Sequence, residues 1–151
     1  MPISKKGPLR VAVLGQGRSG LDIHCHYLKT APRKFEIIAI ADLLRERRKR
    51  AAEEMGCATY ANYRDLLARD DLDLVVNALP SHLHPEATIA ALEAGHHTIC
   101  ENPLAWSVAK LDKMIAAARA SRRKLLPFQQ SRNAPQFQKM LQIIDSGVLV
   151  R

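Results

Sequence analysis

The stretch from Leu9 to Gly20, LRVAVLGQGRSG, constrains this chain more than any other. An apolar run, Val11-Ala12-Val13-Leu14, stops at Gly15-Gln16-Gly17-Arg18-Ser19-Gly20, where a buried strand would turn directly into a helix. Each glycine of that G-x-G-x-x-G spacing has a mechanical reason. Gly15 permits the tight turn, Gly17 leaves the backbone open to a phosphate, and Gly20 lets the new helix lie close on the strand. The free N–H groups and positive dipole end of that helix favour an anion. Ser19 sits among these amides. The Arg18 guanidinium either covers a pyrophosphate or faces solvent.

Such a turn points to a dinucleotide only if an acidic residue ends the next strand, roughly 20 residues on. Phe35 to Ala41 (FEIIAIA) reads as that strand, and Asp42 follows it. Its carboxylate can accept hydrogen bonds from the adenosine ribose diol and repels a 2′-phosphate, which favours NAD over NADP. Arg45 and Arg47 follow closely enough to soften that repulsion. Capping the helix expected from Leu44 is the alternative role for Asp42, and one carboxylate can fill both.

Apolar and polar periods alternate along the rest of the chain. Helices are expected over Arg18–Lys29, with Leu21, Cys25 and Leu28 on one face, and over Leu44–Met55, stopped by Gly56. A strand at Cys57–Tyr60, a small helix at Tyr63–Arg69 and a strand at Asp73–Leu79 follow. Pro85 then opens a helix ending at Gly95, His97–Cys100 is a strand, and Ser107 caps a helix reaching Ala120. Leu125–Gln129 is the sixth strand, and a last helix from Pro135 carries Phe137, Leu141 and Ile144. This alternation predicts an α/β fold: a doubly wound parallel sheet, helices on both faces, strand order 3-2-1-4-5-6. Its ligand crevice lies beyond the carboxyl ends of the strands, where Gly15, Asp42, the Leu79-Pro80 turn and Glu101 all fall.

Composition removes several function classes. No apolar run approaches the roughly 20 residues of a membrane span, and MPISKKGPL at the N-terminus lacks the apolar centre of a secretory leader. Three scattered cysteines, Cys25, Cys57 and Cys100, suit a reducing, cytoplasmic setting better than a disulfide framework. The net charge of +8 comes largely from Arg45–Arg50 and Arg119–Lys124. A nucleic-acid-binding module is the alternative this charge raises, but neither run interleaves aromatics for base stacking, so both read as solvated helix faces.

A resemblance sharpens these expectations. Asn77 to Lys110, NALPSHLHPEATIAALEAGHHTICENPLAWSVAK, resembles the nucleotide domain of the Gfo/Idh/MocA oxidoreductases, which carry T-P-x-x-x-H and then A-L-E-A-G-K-H-V-x-x-E-K-P. Pro80 and His84 match the first motif, with Leu79 where the family has Thr or Ser. Ala91–Gly95, His97, Glu101 and Pro103 match the second, and QQSRNAP (Gln129–Pro135) is similar to the family's N-x-R-F-x-P through Arg132 and Pro135. The resemblance implies NAD or NADP bound here, and hydride transfer between nicotinamide and a sugar- or polyol-like hydroxyl or carbonyl compound. It also implies Gln130 near the nicotinamide and Glu101 as a positioning residue there rather than a catalytic carboxylate. Substrate contacts, further acid–base groups and oligomer interfaces come, in the family, from a second domain. Residues 1–151 therefore correspond to the dinucleotide-binding domain, and a small polyol or sugar-like substrate is expected only where that second domain is present.

One departure bears on the chemistry. Position 102 is Asn where the family has the Lys that holds and polarises the reacting oxygen. An amide hydrogen-bonds but carries no charge and moves no proton near neutral pH. No catalytic residue can be named on this basis, and a catalytically silent dinucleotide sensor or scaffold is the alternative function.

The remaining candidates are bland. His24-Cys25-His26 alternates around a helix and does not read as a metal site. His84 reads as ordering its turn or capping a helix, with cofactor contact as the alternative, and Cys100 lacks an activating base. Met114, Met140 and Trp106 read as packing residues.

Overall fold

The computed structural model describes residues 7–149. Six parallel strands form one sheet: β1 (Leu9–Leu14), β2 (Phe35–Ala41), β3 (Ala58–Tyr60), β4 (Leu74–Asn77), β5 (His97–Cys100) and β6 (Leu125–Pro127). Their order, β3-β2-β1-β4-β5-β6, is the one expected, and it reverses between β1 and β4. Helices α1 (His26–Thr30), α2 (Arg45–Met55), α3 (Tyr63–Leu67), α4 (His84–Glu93), α5 (Val108–Ala120) and α6 (Pro135–Asp145) complete the chain.

Both faces of β1 are covered, and its side chains divide by parity. Ala12 and Leu14 join Ala39, Ala41, Leu66, Val75, Ala87 and Ala91 beneath α3 and α4. Val11 and Val13 join Cys25, Leu28, Ile40, Ala51, Leu74 and Val76 beneath α1 and α2. Each large side chain removed from water contributes about 1.5–3 kcal/mol, so two such layers pin the strand register.

Local stop signals act as their chemistry dictates. Gly56 ends α2 in the left-handed region at φ 63°, donating to Ala52 O. The Ser107 hydroxyl accepts from the Lys110 N–H at the start of α5. Pro85 occupies the first turn of α4, where its missing N–H costs nothing.

The first helix departs from expectation. Instead of an α-helix over Arg18–Lys29, the chain makes a π-helical segment, Ser19–Cys25, and only then α1. Within this wider, i→i+5 bonded segment the consecutive residues His24 and Cys25 are both buried. Two residues read as packing are also on the outside: Trp106 is 68% and Met140 55% exposed, while Met114 is buried in α5. Ser107 begins its helix one residue after Trp106, leaving that indole on the loop. Met140 lies on α6, which packs mainly against the short 3₁₀ turn Gln130–Asn133. On the same helix Leu141 and Ile144 are exposed as well.

Candidate functional site at the carboxyl edge of the sheet

The glycine turn is set by what a side chain would strike. A Cβ on Gly15 would lie 2.5 Å from Ala78 O on β4's exit, and φ is +90°. A Cβ on Gly20 would lie 1.9 Å from Gly15 O, so the helix enters directly over the turn. Gly17 differs: its Cβ position meets nothing nearer than Arg47 Nη1 at 3.7 Å. No packing demand requires glycine at 17, and the open side of that residue is where a phosphate can approach the backbone.

Asp42 is buried and tied to this turn. Its Oδ2 accepts the Gln16 N–H at 2.7 Å, and its Oδ1 accepts the Leu44 N–H at 2.8 Å. The second bond orders the entry to α2, although Leu44 rather than Asp42 is the cap residue. The basic run after it is more than a solvated face. Arg47 Nη1 lies 3.4 Å from Asp42 Oδ2, Arg48 donates to Asp42 O and Leu43 O, and Arg50 Nη2 donates to Gln16 O at 3.3 Å. Arg45 is exposed. Leu43, at 82% exposure, offers an apolar surface beside Asp42.

On the other side of the reversal, the turn after β4 is held by His84. Its Nε2 is 2.8 Å from Leu79 O and its Nδ1 2.7 Å from Pro103 O, so both ring nitrogens are engaged by backbone carbonyls. The ring is buried and joins the Leu79-Pro80 turn to the segment following β5. Asn77 supports the same turn, donating to His84 O and Thr88 Oγ1 and accepting from Leu79 N. Pro80 itself is exposed, and Leu79 packs against the core.

Beyond β5, Glu101 donates its N–H to Asn77 O and accepts at Oε1 from His24 Nε2, 2.8 Å away. The Asn102 amide bridges to Phe128 O and Gln129 Oε1, closing the carboxyl ends of β5 and β6 together. Gln130 is exposed on the turn that follows. Arg18 is exposed and Ser19 half-buried at the head of the π-helical segment.

The thiols are quiet. Burial pushes Cys100 and Cys57 up to about 11 and raises Cys25, whose sulfur accepts from Gln16 Nε2. A thiol held neutral is a poor nucleophile. Among the described residues no group of three His, Cys, Asp or Glu side chains could hold a metal ion, and no helix is long and apolar enough to cross a membrane.

Sequence reasoning found the glycine turn, Asp42, His84, Glu101 and Asn102, and the fold brings all of them to one edge of the sheet. It missed His24 as Glu101's partner and the folding of Arg48 and Arg50 onto the turn.

The chain as a whole matches known proteins. Residues 9–129 match the family model described as "Oxidoreductase family, NAD-binding Rossmann fold". The chain belongs to the Gfo/Idh/MocA family. The Gfo/Idh/MocA relatives include the inositol 2-dehydrogenase/D-chiro-inositol 3-dehydrogenase of Lactiplantibacillus plantarum, 30% identical over 143 residues, covering 93% of this chain and 41% of that protein. Among solved structures, the WlbA dehydrogenase of Chromobacterium violaceum in complex with NADH and UDP-GlcNAcA superposes with a TM-score of 0.90 at 29% identity, over 99% of this chain and 43% of that one. A 3-ketoreductase from Actinomadura kijaniata in complex with NADP and TDP-benzene gives 0.86 at 32% identity, over 94% of this chain and 43% of that one. The chain spans about two fifths of the length of the curated relatives it matches.

Proposed function

We propose that this chain is the dinucleotide-binding part of an NAD(P)-dependent oxidoreductase acting on a polyol, sugar or sugar-like hydroxyl or carbonyl compound, with NAD preferred. The observation that carries the reading is the contrast among the three glycines. Gly15 and Gly20 are required by protein backbone, whereas the Cβ position of Gly17 meets nothing nearer than Arg47 Nη1 at 3.7 Å. A cradle that a single methyl group would fill, at a helix N-terminus and beside a buried carboxylate, fits a pyrophosphate with an adjoining ribose.

The residues divide the work by position. The turn amides from Gly15 to Gly20, with Arg18 and Ser19, hold the pyrophosphate. Asp42 accepts from the adenosine ribose, and Leu43 offers apolar contact to the adenine. Asp42 already has two backbone N–H partners, which fix its orientation where a 2′-phosphate would be repelled. Arg47 reduces that repulsion without cancelling it, which supports a preference for NAD rather than an exclusion of NADP.

Leu79, Pro80, Glu101, Asn102 and Gln130, at the ends of β4, β5 and β6, would hold the nicotinamide half, with His84 fixing the two loops. The bound cofactor supplies hydride transfer at its nicotinamide ring. Asn102 can orient a carboxamide or hydroxyl through hydrogen bonds but cannot place a positive charge on a developing alkoxide. A substrate and its proton-handling groups are therefore engaged where a second domain is present. Calorimetric titration with NAD and NADP tests the reading. NAD should bind more tightly than NADP, and Asp42→Ala should abolish the difference; absence of heat with either coenzyme overturns it.

A further inference from the structure

The His24–Glu101 pair is unused by a simple account of dinucleotide binding. The two residues are 77 positions apart, one in the π-helical segment behind the glycine turn and the other at the end of β5. Their side chains are only 7% and 14% exposed, and Nε2 approaches Oε1 at 2.8 Å. A carboxylate oxygen accepts only, so the imidazole N–H donates. The same ring packs on Phe128, with centroids 4.4 Å apart. The other carboxylate oxygen, Oε2, accepts weakly from the Asn102 N–H at 3.3 Å. His24 and Cys25 are both buried.

In the dinucleotide reading, Asp42 would hold the adenosine end over β2 and the glycine turn the pyrophosphate over β1. The remaining half must run across the reversal towards β4 and β5, where Glu101 stands. We infer that His24 is a positioning residue for the nicotinamide half of the cofactor: it clamps Glu101 in one rotamer so that the carboxylate edge and the neighbouring Asn102–Gln129 amides present a fixed hydrogen-bonding rim. This inference rests on the dinucleotide reading above and adds a division of labour to it. The helix whose head receives the pyrophosphate also, eight residues after Gln16, orients the group that receives the other end. With Asn102 uncharged, the clamp on Glu101 is the device that orders this rim.

The test separates the two halves of the ligand. NADH binding is read by its fluorescence and ADP-ribose binding by calorimetry, for the wild type, His24→Phe, His24→Gln and Glu101→Gln. His24→Phe keeps a ring on Phe128 and removes the donor; His24→Gln keeps a donor. The expected result is a loss of NADH affinity of about tenfold in His24→Phe, as for one charge-assisted hydrogen bond. ADP-ribose affinity should stay within about twofold, and His24→Gln should recover most of the loss. Glu101→Gln should show the same selective loss, which covers the case in which His24→Phe does not fold. Equal weakening of both ligands, no weakening of either, or failure of His24→Gln to recover NADH overturns the inference. Wild-type protein that binds ADP-ribose normally but gains nothing from the nicotinamide also overturns it while leaving the adenosine half intact. Wild-type protein that binds neither ligand defeats the dinucleotide reading itself.

Discussion

The backbone N–H of Gln16 donates to Asp42 Oδ2 at 2.7 Å, which makes the glycine turn after β1 and the acidic residue after β2 one hydrogen-bonded unit. The carboxylate proposed to select the nucleotide thus also holds the loop proposed to receive its phosphates. Asp42→Ala should lower stability by about 1–3 kcal/mol, because the buried Gln16 N–H and the part-buried Leu44 N–H lose their acceptor. In a domain of this size that is a fall in Tm of roughly 2–4 °C per kcal/mol, read by thermal denaturation. An unchanged Tm would mean the turn holds without it.

Gly17 and Gly20 should respond oppositely to alanine. Gly20→Ala drives a methyl group to 1.9 Å from Gly15 O, so the backbone must move and stability should fall by about 2–4 kcal/mol. Gly17→Ala meets no close protein atom and should leave Tm within the shift expected for about 0.5 kcal/mol, while dinucleotide affinity falls at least tenfold. Chemical denaturation and calorimetry on the same two proteins check both statements.

How far the sequence could be read follows from these contacts. Signals that act within one turn of chain were legible: the glycine spacing, Gly56 as a helix stop, the Ser107 cap, and Asp42 at a strand's end. So was the strand order, because right-handed crossovers leave few alternatives. What escaped depends on residues far apart in sequence. Nothing local couples His24 to Glu101, and an α-helical period hides the extra residue per turn that turns His24 inward. The arginines of α2 read as a solvated run because helical periodicity says nothing of carbonyls on another loop, such as Gln16 O. Trp106 and Met140 read as packing residues because both are large and apolar, a rule that works in one direction only.

Arg47 should tune the choice between coenzymes. Its guanidinium lies 3.4 Å from Asp42 Oδ2, the carboxylate proposed to select the coenzyme. Arg47→Ala should leave NAD affinity nearly constant and weaken NADP by about tenfold, the worth of one charged hydrogen bond. Parallel titrations with the two coenzymes measure the ratio; a ratio unchanged from wild type contradicts the assignment.

Alkaline pH should destabilise the fold through its thiols. Burial raises Cys57 and Cys100 to about 11 in the folded chain, against about 8.5 when unfolded. Between those values the unfolded state releases protons that the folded state keeps, so stability is full below about 8.5 and declines as pH rises towards about 11. Urea denaturation across that range should show the decline, and replacing both residues by alanine should flatten it relative to wild type. At neutral pH, Cys25 and Cys100 should resist alkylation until the protein is unfolded.

The most direct test of the account is a crystal structure of this chain with NAD. The account predicts the pyrophosphate against the backbone N–H groups of the Gly15–Gly20 turn, on the open side of Gly17, with the adenosine ribose hydroxyls on Asp42. A dinucleotide seated anywhere else, or a ribose that leaves Asp42 untouched, would contradict it.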